Sequence, residues 1–398
     1  MEIAKEYERI AMMARLRFSK GLVRRDPMVV DVLMILVFSQ LMGWDTLSEV
    51  SKRLGIGKDR LYGALKELSL ETWHNLFTLA FEEQAMDALL EAQSMSPATQ
   101  SRLDIDLAVD DSVVRRWGKL LGYLGLWWSG QFHRMLMGQD VLMAVLKIGS
   151  QVIPVGMWLM SPTPRWRDRH ARVGFILADL AQKWKSAGIE INRIPVSMDA
   201  GFADGKLVGT VRAAGFEKVV IGARATYVLY PGRSKKHSAT LMELLTQASI
   251  PKEAGWACTE PTACMKGTSP TFGKVKACAR FMLGKVRRVF AFGVYRDCEI
   301  LHIWKNHHWV EQLFKRLKHL LSWGSYRLMG KAGAYASLVI PLLSYFVLLM
   351  LQKRTGSTFD KLFSAIKQLS HTDIEAILKS WNVEAFEIHI VEPDAMLC

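Results

Sequence analysis

"LDIDLAVDDS" (residues 103–112) alternates apolar and polar positions and closes on two aspartates. Period-two alternation marks a half-buried strand, here one that runs into a loop at Asp110 and Asp111. Downstream, "VLMAVLKIGSQVIPVGMWLM" (141–160) predicts two strands joined by a turn near Gly149-Ser150. "ARVGFILADLAQKWKSAG" (171–188) predicts an amphipathic helix stopped at Gly188. "RIPVSMD" (193–199) predicts a strand with Asp199 at its C-terminal end. "ADGKLVGTVRAAG" (203–215) is helical and "EKVVIG" (217–222) is a strand. The order β-β-β-α-β-α-β implies an α/β fold, a layered sheet covered by helices.

The 398 residues suffice for two or three domains with a sizeable core. Half of them are hydrophobic, which excludes wholesale disorder. Lys and Arg outnumber Asp and Glu by 52 to 38, a formal charge of +14. Residues 205–290 hold 15 Lys/Arg against 4 Asp/Glu, so most of the excess belongs to one segment. A basic balance of this kind points to a polyanion, above all nucleic acid.

Five cysteines, Cys258, Cys264, Cys278, Cys298 and Cys398, are too few and too irregular for a disulfide scaffold. Their odd number fits a reducing cytosol, and without a C-x2-C pair they do not read as a zinc knuckle. The charged N-terminus lacks the apolar core of a signal peptide. "SLVIPLLSYFVLLML" (337–351) is apolar, but at 15 residues with Pro341 inside it reads as a buried core helix rather than a membrane span.

Residues 1–98 read as a helical domain. Within it, "TLSEVSKRLGIGKDRLYGALKEL" (46–68) places Leu47, Val50 and Leu54 on one helix face. Leu61, Leu65 and Leu68 form a second face beyond the turn "GIGKD", with Asp59 as a cap. Two short helices around a glycine-containing turn make a helix-turn-helix-like pattern, with Arg60 and Lys66 turned outward toward DNA. Residues 224–290 are basic and strand-rich, too long for a simple connection, and read as an inserted subdomain. The α/β core therefore divides into 99–223 and 291–355, with 356–398 a C-terminal tail holding one helix in "DIEAILKSW".

After the insertion comes "HHWVEQLFKRLK" (307–318). Val310, Phe314, Leu317 and Leu321 make its apolar stripe, and seven positions bring Lys318 back over Glu311 on one helix face. Taken alone, this is an ordinary solvated face with charge pairs. Read with the strand-end acids Asp110/Asp111 and Asp199, it supplies a third carboxylate to the edge of an α/β sheet, where sites commonly form. Clustered carboxylates repel one another unless cations neutralise them. Hard oxygen ligands suit Mg2+ or Mn2+, and two such ions serve phosphodiester attack.

This D…D…E order, with an insertion before the glutamate, resembles the DDE transposases of bacterial insertion sequences. One branch carries a signature of Tyr, two residues, Arg, three residues, Glu, six residues, Lys. The matching positions are Trp304, His307, Glu311 and Lys318. Glu and Lys match in identity and spacing; Trp replaces Tyr and His replaces Arg. "VSMDAGFAD" resembles the second-aspartate motif and "AVDDS" the first, with Asp110 favoured and Asp111 open.

The resemblance covers roughly residues 103–350. It implies a ribonuclease H-like catalytic core, two Mg2+ (or Mn2+) ions on Asp110 or Asp111, Asp199 and Glu311, and DNA hydrolysis followed by strand transfer. It also implies phosphate contacts from Lys318, His307 and Lys315. The β-rich insertion would clamp DNA through Arg233, Lys235, Lys236, Arg280, Lys285, Arg287 and Arg288. Transposon-end and target DNA, a homodimer in the DNA complex and a cytoplasmic, nucleoid-associated bacterial location follow as expectations, with no membrane. A nuclease that cuts without joining, or a repurposed DNA-binding protein, would keep much of the same pattern.

Overall fold

The structure is a computed structural model. It describes residues 2–22, 27–100, 103–130, 132–163, 168–231, 239–241, 243, 262–282, 285–294 and 296–380. The chain begins with α1 (Glu2–Gly21), α2 (Pro27–Leu41), α3 (Leu47–Leu54), α4 (Lys58–Lys66), α5 (Leu70–Ser94) and α6 (Pro97–Gln100). Then come β1 (Ile105–Arg115), β2 (Gly125–Ser129), β3 (Arg134–Ile148), β4 (Gln151–Leu159), α7 (Arg169–Ser186), β5 (Val196–Met198), α8 (Gly205–Ala214) and β6 (Val219–Gly222). After these lie β7 (Val228–Pro231), β8 (Ala239–Thr240), β9 (Thr262–Ser269), β10 (Gly273–Met282) and β11 (Lys285–Phe292). The chain closes with α9 (Asp297–Asn306), α10 (His308–His319), α11 (Gly330–Thr355), α12 (Phe359–Lys367) and α13 (His371–Ser380). The fold is mixed α/β. It divides into two compact units that are not linear blocks: residues 1–84, 113–140 and 314–398 form one, residues 85–112 and 141–313 the other.

The first unit is mostly helical. α2 and α11 are apolar nearly all round, which is the pattern of helices buried on every side. They pack on one another, and the Ser344 hydroxyl donates to the Val37 carbonyl at 3.0 Å. Phe346 of α11 meets Phe18 and Phe81, with ring centroids 6.1 and 5.8 Å apart. α11 has 26 residues, so the apolar segment is longer than the sequence suggested. It is the one described helix long and apolar enough to span a membrane, and 94% of its most apolar window is buried inside the protein.

α3 and α4 pack against each other as the apolar pattern requires, with Leu47, Val50, Leu54, Leu61 and Leu65 buried. The Thr46 hydroxyl caps α3 by accepting from the Glu49 amide, and Gly55 ends it at φ 65°. Asp59 is not the cap of α4. Gly57 occupies that position without a side-chain bond, and Asp59 lies within the first turn. The β2–β3 hairpin, which pairs Gly125–Ser129 with 134–138, was not apparent in the sequence. Its alternation is blurred because Leu126 and Trp128 are exposed.

The sheet runs in the order β2, β3, β1, β5, β6, β11, β10, β9, β7, β8, with β4 off this path and paired to β3, and all of it but β2 and the start of β3 belongs chiefly to the second unit. β1, β5 and β6 run parallel; β3–β4 and β6–β11 pair antiparallel. The turn at Gly149 (φ 55°) joins β3 to β4 as the sequence predicts. The described part of 224–290 does not stand apart as a subdomain. Its strands extend the same sheet, because β11 pairs in register with β6 from Val289↔Gly222 to Phe292↔Val219. Cys264 and Cys278, directly opposite on β9 and β10, form a disulfide, which corrects the expectation of unpaired thiols. Their Cα atoms lie 4.1 Å apart, so strand pairing alone brings the two sulfurs together. Both sulfurs near Asp297 are thus in a covalent bond and are not thiolate ligands.

Candidate carboxylate site

β1 does not stop at the two aspartates but continues to Arg115, so Asp110 and Asp111 are strand residues rather than loop residues. Alternation sends their side chains to opposite faces. Asp111 pairs with the Arg169 guanidinium at 3.3 Å, at the start of α7. Asp110 faces other acids. Desolvation first, then the charges of Asp111, Asp199 and Glu311, push its carboxyl well above the usual aspartate range. The Asp111 amide offsets part of this by donating to the Asp110 carboxylate at 2.9 Å.

Asp199 directly follows β5 and begins a short 3-10 turn, Ala200–Phe202. Gly222 at the end of β6 makes room for that turn. A Cβ there would come within 2.5 Å of the Ala200 amide nitrogen. Asp199 is exposed and Glu311 is half-buried in the first turn of α10. The structure therefore brings Asp110, Asp111, Asp199 and Glu311 into one electrostatic cluster.

His307 lies just ahead of α10 and is buried, at 4% exposure. Its ring stacks on Trp304, 5.1 Å between centroids and 3° between planes, and its Nδ1 is 3.0 Å from the Ser197 hydroxyl. Burial lowers its pKa, while Asp199 and Glu311 pull it upward. The Nε2 has no hydrogen-bond partner among the described residues. This position does not fit the surface phosphate contact expected for His307. Trp304 belongs to the apolar cluster of Ile300, Leu301, Ile303, Val220, Val289 and Ala291, which fixes α9 on the sheet. On α10, His308 bonds Glu311 at 3.0 Å through Nδ1 and Gln312 at 2.6 Å through Nε2.

A second polar row lies along the same strand. Lys147 and His302 bond Asp104 at 2.9 and 2.7 Å, and the Asn306 amide donates to Asp106. Burial drives Asp106 up to about 6, even though Asn306, His302 and Lys147 work the other way. Sequence reasoning missed this row, although alternation places Asp106 and Asp110 on one face of β1, with Asp104 just ahead of the strand.

The remaining expected DNA contacts belong to several elements. Lys315 is exposed and Lys318 half-buried, farther along α10. Arg287 is exposed on β11 and near enough to His307 to act against its protonation; Arg288 is half-buried. Arg280 and Lys285 occupy β10 and β11. Arg60 and Lys66 are exposed on α4. Arg233, Lys235 and Lys236 lie outside the described residues.

Asp199 and Glu311 lie near enough to Asp110 for their charges to raise its carboxyl pKa, while Asp111 is held by Arg169, and among the described residues the oxygens of these acids do not gather within 4.8 Å of one another. Carboxylate oxygens are the donors that hard divalent cations take, so Asp110, Asp199 and Glu311 are the residues that could hold one if their side chains closed on it. Comparison of the sequence with known proteins found no matching family model and no matching curated protein.

Proposed function

We propose that the chain is a DDE transposase that hydrolyses phosphodiesters at transposon ends and transfers the 3′-hydroxyl into target DNA. The observation that carries this reading is the nearness of Asp199 and Glu311 to Asp110, whose carboxyl pKa their charges raise. These acids come from 110–111, 199 and 311, far apart in sequence, in the order the resemblance requires. The order strand-strand-strand-helix-strand-helix-strand is present as β1, β3, β4, α7, β5, α8, β6, with β2 as an addition. That order supports a ribonuclease H-like core.

Asp110, Asp199 and Glu311 are the residues assigned to hold the metal ions. Asp111, already paired with Arg169, is assigned to balance charge beside them. Bound divalent ions supply an activated water and charge stabilisation on the leaving oxygen. Glu311 rides on α10 beside His308, so small movements of that helix turn adjust its carboxylate. His307 is assigned as a positioning residue. Stacked on Trp304 and bonded to Ser197, it ties the start of α10 to β5, the strand that ends at Asp199. No covalent protein–DNA intermediate is required, so no Ser or Tyr nucleophile is assigned.

The basic excess of 205–290 and the α3–α4 pair support DNA as the partner. The test is a Mg2+-dependent strand-transfer assay with DNA ends taken from the flanks of the encoding gene. Joining of a pre-cut end to target DNA is the expected result. Cutting without joining would replace the reading with a nuclease. DNA binding with neither activity would leave a repurposed DNA-binding protein.

A further inference from the structure

The helical unit contains a cleft of about 590 Å³ that none of the acidic positions enters. Its walls come from the start of α3, from α4, from the end of β1 with the following loop, and from the end of α10 with the segment after it. Five cations line it, Lys58, Arg115, Arg116, Lys318 and Arg327, and no Asp or Glu is among the lining residues. Thr46 and Ser48 at the N-terminus of α3 face it as well, adding the positive end of a helix.

Arg116 is the decisive group. It is 3% exposed, yet it lies in the wall of the cleft. Its Nη1 donates to the Tyr326 carbonyl at 3.4 Å, while Nε and Nη2 have no hydrogen-bond partner among the described residues. Burying a cation without a counter-charge is costly unless something else compensates it. Burial and the neighbouring Arg327 depress its pKa to about 10, which still leaves it charged at neutral pH. The rim repeats the pattern. The Arg115 guanidinium lies 5.1 Å from the ring of the exposed Trp117, and the Lys58 ammonium lies 5.7 Å from the Tyr62 ring. Cations held against aromatic faces at an open rim remain available to an anion.

We infer that this cleft is a phosphate site, centred on Arg116 and Arg327, that takes a backbone phosphate of DNA. The phosphate chemistry rests on the cleft alone. Its source in DNA rests on the transposase reading. Of the lining cations, only Lys318 belongs to the Glu-x6-Lys signature. Arg115, Arg116, Arg327 and Lys58 line the same cleft as Lys318.

Two measurements test this, both without divalent cation so that cleavage plays no part. The first is the thermal midpoint in inorganic phosphate against chloride of equal ionic strength. The second is the slope of log affinity for duplex DNA against log salt. Wild type, Arg327→Gln, Arg115→Gln and Lys58→Gln are compared, with Lys361→Gln as a charge-matched control on α12. These exposed or rim positions avoid the folding risk of changing Arg116.

Phosphate is expected to raise the wild-type midpoint, and Arg327→Gln to lose most of that rise. The DNA salt slope is expected to fall by about one for each lost phosphate contact, with affinity weakened alike across sequences. The control should match wild type. A phosphate shift with an unchanged DNA slope would overturn the DNA source and leave a free-phosphate or nucleotide site. Equal phosphate response in all variants would overturn the site itself. If the chain binds no DNA but keeps the Arg327-dependent phosphate shift, the transposase reading fails while the anion site stands.

Discussion

Changing Asp106 to Asn should remove a calculable part of the pH dependence of stability. Asp106 is 4% exposed on β1 and its carboxyl is pushed up to about 6, chiefly by burial. In the unfolded chain it titrates near the ordinary value of about 3.9. A folded pKa above the unfolded one contributes stability that is fully present below the unfolded pKa and is lost as pH rises through the folded pKa. The difference of about two pH units is worth about 3 kcal/mol at roughly 1.4 kcal/mol per unit. Asparagine has no charged form, keeps an oxygen for the Asn306 amide and carries no such loss. The variant should therefore gain about 3 kcal/mol on wild type between pH 3 and pH 7.5, whatever its fixed offset. For a body of 150–250 residues, that is a relative midpoint shift of about 6–12 °C. Thermal unfolding of both proteins across that range, without divalent cation, reads it directly. A difference between the two that does not change with pH would refute the argument that burial holds Asp106 protonated.

Asp110→Asn should remove the response to divalent cation: wild type gains about 2.7 kcal/mol at a Mg2+ concentration 100-fold above its dissociation constant, and the variant little, by thermal unfolding at pH 7.5. Equal gains in both would take Asp110 out of the metal site. Ser197→Ala leaves buried His307 without its 3.0 Å partner and should cost about 1–3 kcal/mol in urea unfolding. A cost near zero would mean that the bond does not anchor α10. Cys264→Ser opens a loop of 14 residues and should cost about 3 kcal/mol under non-reducing conditions, an effect that dithiothreitol erases by lowering wild type to the same level.

The carboxylates were legible because each lies next to a strong local pattern. Val196–Met198 is a short apolar strand and Asp199 is the first residue after it; Glu311 starts a helix with a clean apolar stripe. Such patterns are local, and strand alternation or helical spacing reads them. What was not legible depends on partners far along the chain. The end of β1 was misplaced because Asp110-Asp111 looks like a turn, whereas Arg169 and a neighbouring amide hold it in the strand. The disulfide arises from the β9–β10 register, which spacing in sequence does not give. The strands of 224–290 read as a separate body because their partner, β6, lies before them, and sheet order is not written in periodicity. His307 stands where the signature has arginine. Its burial follows from Trp304 and Ser197, neither of which marks it in sequence.

The most direct test of the account is cleavage of end DNA in Mg2+ by wild type and Glu311→Gln. The substitution keeps size and hydrogen bonding while removing the charge. The account predicts cleavage by wild type, none by the variant, and equal binding of end DNA by both. Equal cleavage by both would remove Glu311 from the chemistry, and with it the assignment of the three acids as one site.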